Sequence, residues 1–141
     1  MWLYQLSHDI YPLEQYRLDV WQDQVLEWPT GRVMTTDGAR PTPGDSVVLW
    51  YAKKHAEEPG IVGWGIVLDF RPPSALNDED TLAWRPVFPS DALKMHPLYS
   101  ADLQEVVERI RGPMPQGTMW QVEQPEAHTL ALAIRSWCNP T

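Results

Sequence analysis

Two rhythms of apolar residues run along the chain, one alternating and one recurring every three or four positions, and they separate strands from helices. Residues 2–6 (WLYQL) are apolar and aromatic and predict a first strand. After Pro12, the positions Leu13, Tyr16, Val20 and Trp21 recur at helical spacing, and a proline fits a first helical turn. Residues 29–44 (PTGRVMTTDGARPTPG) are punctuated by Gly, Pro and Thr, and read as turns around a short extended piece. Gly44-Asp45 then opens a β-branched and aromatic strand, SVVLWYA, over 46–52. A second strong strand, IVGWGIVLDF, follows over 61–70. Its Gly63 and Gly65 flank Trp64 and predict a bulge or a close approach to the backbone.

The remainder is more broken. RPPSALNDED (71–80) is a loop by composition, and its acidic run at 77–80 reads as a solvated surface. LAWRPVF (82–88) alternates but carries Pro86, so it belongs at a sheet edge or ends there. PSDALKMHP (89–97) predicts one or two helical turns, with Ser90 as N-cap and Pro97 as stop. SADLQEVVERI (100–110) has helical spacing through Val106, Val107 and Ile110. Residues 120–122 predict a last short strand, and from Pro125 an Ala/Leu-rich helix runs to Trp137. Strands with a few short helices and no βαβ alternation predict an α+β fold, a curved β-sheet or small barrel, in one domain over 1–141.

Composition narrows the function. No run approaches the roughly 18 apolar residues of a membrane span, and no leader pattern opens the chain, so a cytoplasmic protein is expected. The single Cys138 cannot form an internal disulfide. The four His are dispersed at 8, 55, 96 and 128, without metal-ligand spacing, and no phosphate loop, dinucleotide fingerprint or nucleophile elbow occurs. Neither a metal, a cofactor nor catalysis is expected. A net charge of −8 argues against a general nucleic-acid coat, while leaving room for a local basic rim.

Eight tryptophans are more than a core of this size requires, so some are expected to line a binding surface. The candidates stand at strand ends and turns: Trp28, Trp50, Trp64 and Trp120. Trp50 and Tyr51 are adjacent in a strand and must face opposite ways. The phrase MPQGTMW (114–120) leaves two outcomes for Trp120: it turns inward into a core strand, or it stands at a surface hollow.

The order of an aromatic first strand, Trp28, GDSVVLWYA (44–52), GIVGWGIV (60–67) and PQGTMWQV (115–122) resembles the EVE domain, a member of the PUA-like group that includes the YTH and ASCH domains. The resemblance spans Trp2 to about Trp137. It departs from the family in the Pro/Gly-rich segment 29–43 and in the long loop 53–60. It implies a PUA-like pseudo-barrel of about five to six strands with a few short helices. It also implies a non-enzymatic pocket that reads a modified base, such as a methylated one, in DNA or RNA. The base would lie among Trp28, Trp50, Trp64 and Trp120, with its edge met by Gln116, Gly117 and Thr118. Phosphates would fall to Arg32, Arg40, Lys53, Lys54, Arg109 and Arg111, and a protein partner could add positive charge. The competing expectations are an ASCH-like hydrolase of a modified nucleoside or amide, and a protein-interaction module.

Overall fold

A computed structural model describes residues 1–7, 11–22, 24–31, 33–35, 37–52, 59–75, 79–87, 97–112 and 118–138. The helical turn expected at 89–97 lies almost wholly outside these residues. The strands are β1 (Trp2–Leu6), β2 (Leu26–Pro29), β3 (Val33–Met34), β4 (Ser46–Tyr51), β5 (Gly60–Arg71), β6 (Thr81–Pro86) and β7 (Met119–Gln121). The helices are α1 (Leu13–Gln22), α2 (Ala101–Arg111) and α3 (Glu126–Cys138). The fold is α+β, as expected, with seven strands where five or six were predicted.

All seven strands share one sheet in the order β2-β6-β5-β4-β1-β7-β3. The two edge strands, β2 and β3, are consecutive in sequence and joined only by residues 30–32. Laid flat, seven strands would hold their edges about 29 Å apart. The linker from residue 29 to residue 33 can reach about 14 Å at most. The sheet therefore curls, bringing its edges together as a half-barrel. The register shifts twice along β5, between the partners Leu49/Trp50 and again between Val67/Asp69, and such shifts increase local twist.

Alternation on the strands builds two cores on opposite faces of one sheet. Inside the curl lie Trp2, Tyr4, Leu6, Leu26, Trp28, Val47, Leu49, Tyr51, Val67, Leu82, Trp84 and Met119, closed by Tyr16 of α1. On the outer face Leu3, Val48, Trp50, Ile61 and Trp120 pack under α2 and α3, against Val106, Val107, Leu130, Ile134 and Trp137. Trp50 and Tyr51 do face opposite ways, and both are fully buried.

Local chemistry fixes the elements. Ser100 caps α2, its Oγ accepting from the N–H of Leu103 at 3.1 Å. Gly65 faces the interior, where a Cβ would stand 2.3 Å from the Arg85 carbonyl oxygen and 2.6 Å from the Trp84 ring. The close approach expected at this glycine is an indole laid across it. Pro86 ends β6, and β6 lies between β2 and β5 rather than at an edge. The edge strand β2 was not predicted at all: its burial alternates over only four residues, beginning before the Pro/Gly-rich segment.

Candidate functional site

The curl leaves a cavity where its edges meet. Its volume is about 460 Å³, and its walls are Tyr4, Gln5, Leu6, Ser7, Tyr11, Trp28, Pro29, Gly31, Glu79 and Thr118. Five chain segments converge here: the end of β1, the entry to α1, the end of β2 with the turn after it, the residues before β6 that carry Glu79, and the residue before β7. Gly31 has φ +55°, and a Cβ there would meet Thr118 Oγ1 at 3.0 Å, so a glycine lets the β2–β3 turn pass close to β7.

The aromatic wall is an interlocked set. The Trp28 ring lies 5.2 Å from Tyr4, 5.5 Å from Tyr11 and 4.9 Å from Trp84, centroid to centroid. With four neighbouring rings and 8% exposure, Trp28 offers the cavity a small part of its surface. Tyr11 is half-buried and is the more accessible ring. Its backbone is clamped, since its N–H donates to the Ser7 carbonyl at 2.8 Å and its own carbonyl accepts from Tyr51 Oη at 2.6 Å. The Tyr4 hydroxyl donates to the Pro29 carbonyl, tying β1 to the end of β2. Burial first, and the Glu79 carboxylate second, push the Tyr4 phenol above its ordinary pKa. Tyr4 therefore stays a protonated donor and is no base near neutral pH.

The polar side chains of the wall are Ser7, Glu79 and Thr118; Gln5 also borders the cavity, but strand alternation turns its side chain to the outer face. The N–H of Gln5 donates to the Thr118 carbonyl at 2.9 Å, extending the β1–β7 ladder to the cavity. Its side-chain Oε1 accepts from Arg111 Nη1 at 2.9 Å. Among the described lining residues Glu79 is the one carboxylate, and none is Lys or Arg.

The structure gathers some of the expected site and disperses the rest. Trp28 and Thr118 meet at the cavity. Trp50 and Trp120 do not: they lie on the outer face, 0% and 2% exposed, packed under α2 and α3. Strand alternation is the cause, because Trp120 pairs with Leu3 and Trp50 with Gln5, all on the face turned away from the curl. Trp120 thus sits buried in a core strand, while residues 114–117 of the MPQGTMW phrase lie outside the described residues. Trp64 also faces outward and lines a separate cavity of about 400 Å³ with Met1, Ser46, Val48, Ala131, Ile134 and Arg135.

Gln116, Gly117, Arg32, Lys53 and Lys54 lie outside the described residues. Arg40 is exposed and is not among the lining residues. Arg109 stands 3.5 Å from Glu126, linking α2 to α3. Arg111 is committed to Gln5. Sequence reasoning missed Tyr4, Gln5, Ser7, Tyr11 and Gly31, and it read Glu79 as part of a solvated loop. Gly31 within Pro-Thr-Gly carried a detectable turn signal, whereas the others became neighbours only through the curl.

Among the described residues no group of three His, Cys, Asp or Glu is placed to hold a metal ion, and no helix is long and apolar enough to cross a membrane. No family model matches the sequence, and no curated protein matches it. Solved structures do share the fold. A Pseudomonas syringae protein determined as a structural-genomics target matches with TM-score 0.61 at 17% identity, over 94% of this chain and 98% of its own. A hypothetical protein from Leishmania major matches with TM-score 0.61 at 15% identity, over 96% and 95% of the two chains. A Pseudomonas putida protein matches with TM-score 0.59 at 17% identity, over 95% and 98%. These likenesses define the class as a curved-sheet α+β domain, and at such identities they carry the fold alone.

Proposed function

We propose that this domain is a non-enzymatic reader of a nucleobase, modified for example by methylation, in DNA or RNA. The observation that carries the reading is the cavity at the seam of the curl: aromatic on one side, hydrogen-bonding on the other, and open to solvent. The motif order that resembles the EVE domain, in the PUA-like group, supports the same reading. The tryptophans expected to form an aromatic cage contribute differently. Tyr11 and the accessible part of Trp28 replace a cage of four indoles.

The energetics restrict what such a site can do. Stacking a base on an aromatic face is worth about 1–3 kcal/mol. Extruding one from a duplex costs a few kcal/mol. One good face therefore leaves little surplus, and single-stranded or already unpaired bases are the favoured targets. A methyl group buried against Leu6 or Pro29 adds about 0.8 kcal/mol, roughly a fourfold preference. With a net charge of −8 and no cation among the described lining residues, binding is weak and salt-sensitive unless the loop cations or a partner supply positive charge.

The test is a titration with methylated and unmodified single-stranded oligonucleotides at low salt, followed by tryptophan fluorescence. A saturable change, larger for a methylated strand and weakened by Thr118→Val or Glu79→Gln, is expected. Absence of any change with DNA or RNA at low salt defeats the reading. Turnover of a modified nucleoside would favour a hydrolase instead.

A further inference from the structure

Among the described residues that line the seam cavity, Glu79 carries the one formal charge, and it is negative. Burial first, and this carboxylate second, raise the pKa of the inward-facing Tyr4 phenol, so the field of Glu79 reaches the inner wall. An anionic occupant is repelled there, and a cationic one is attracted.

The aromatic wall leans the same way. Tyr11 is half-buried, whereas Tyr4 and Trp28 are 5% and 8% exposed, so Tyr11 offers the cavity its most accessible ring. Its hydroxyl donates to the Asp19 carboxylate, whose other oxygen accepts from Gln15 Nε2 at 2.8 Å. A phenol that donates to an anion is polarised, and its ring face becomes more negative. Aromatic faces already attract cations through their quadrupole. The Tyr11 and Trp28 rings, 5.5 Å apart, meet at 61°. Rings at that angle form a corner and cannot sandwich a flat base, so stacking is limited to one face.

We propose that the modification read by the seam cavity is one that gives the base a positive charge, as methylation of a ring nitrogen does, and that Tyr11 and Glu79 recognise that charge. This rests on the base-reading function above and names the class of base. The charge supplies what a single stacking face lacks. The net charge of −8, which opposes an anionic strand, favours a cationic base. Methylation of a ring carbon or of an exocyclic amine leaves the base neutral and gains only the burial of a methyl group.

The test compares nucleosides, which carry no phosphate, that differ in charge but not in composition. N1-methyladenosine is cationic near neutral pH, and its isomer N6-methyladenosine is neutral. Titrated at pH 7 and followed by tryptophan fluorescence, the cationic isomer is expected to bind about tenfold more tightly. N3-methylcytidine should be preferred to its neutral isomer C5-methylcytidine in the same way. Glu79 is exposed, so Glu79→Gln should leave the fold intact. It should cut the preference about three- to fivefold and leave the neutral isomers unaffected. Tyr11→Phe keeps a ring but severs it from Asp19, and it too should lower the preference without weakening the neutral isomers.

Equal binding of the two isomers, or a preference untouched by Glu79→Gln, overturns the charge inference and leaves the base-reading function standing. If no nucleoside and no oligonucleotide binds, both fail together. A trimethyllysine peptide that binds where no nucleoside does would make the cation a protein side chain, and it would likewise overturn both.

Discussion

Trp28 and Trp120 show how a single side-chain direction decides between stability and recognition. Trp28 is gripped by Tyr4, Tyr11, Tyr16 and Trp84, so removing it would dismantle the aromatic cluster along with the cavity wall. Trp120 is 2% exposed under α2 and α3. Trp120→Ala should therefore cost about 3–5 kcal/mol of stability, as truncation of a large buried aromatic does. Denaturant unfolding checks this, and a loss under about 1 kcal/mol would contradict the packing described. Cleaner probes of the cavity are residues with less structural duty, such as Glu79 and Thr118. Trp28 and Thr118, singled out from the sequence, do meet at the cavity. The sequence could not place Trp50 or Trp120, because residue type and turn position are the same for an indole on either face of a strand. Only the partner strand tells them apart.

At the level of elements, the Gly44-Asp45 turn shows what a short motif accomplishes. Asp45 Oδ2 accepts from the indole N–H of Trp2 and from the backbone N–H of Thr42, each at 3.0 Å. The N–H of Gly44 and the carbonyl of Asp45 pair with Val67 at 2.9 and 2.8 Å. The turn thus joins β1, β4 and β5. Burial alone would raise the Asp45 pKa, but the bonds from Thr42 and Trp2 outweigh it and hold the carboxyl below its ordinary value. A group depressed in the folded state adds stability above its unfolded pKa of about 4, and that contribution fades as pH falls through the folded value. Asp45→Asn should cost about 1 kcal/mol at pH 7, and the gap to the parent should close as pH falls below about 4. Urea midpoints measured between pH 7 and pH 3 test it, and a gap independent of pH contradicts it. The strong strands β4 and β5, the cap at Ser100 and α3 were all legible from local pattern. β2 was not, since four residues carry too little alternation to register, and its place at a sheet edge depends on β6, which lies more than fifty residues later.

The whole molecule is governed by one constraint. Two edge strands adjacent in sequence must lie adjacent in space, and the sheet curls to satisfy them. The curl gives the protein an inner core, an outer core under two helices, and a cavity at the seam. A second cavity, beside Trp64, lies on the opposite face. Curvature and class could be read from the sequence through strand strength and motif order. The cavity could not, because its walls come from β1, the α1 entry, β2 and its turn, the 71–80 loop and the residue before β7, which no local pattern links. The central claim is that the seam cavity receives a base. Its most direct test is amide chemical-shift mapping during titration with a methylated single-stranded oligonucleotide at low salt. The account predicts shifts clustered at Gln5, Ser7, Tyr11, Gly31, Glu79 and Thr118. No shifts, or shifts gathered instead at Ser46, Trp64, Ala131 and Arg135, would contradict it.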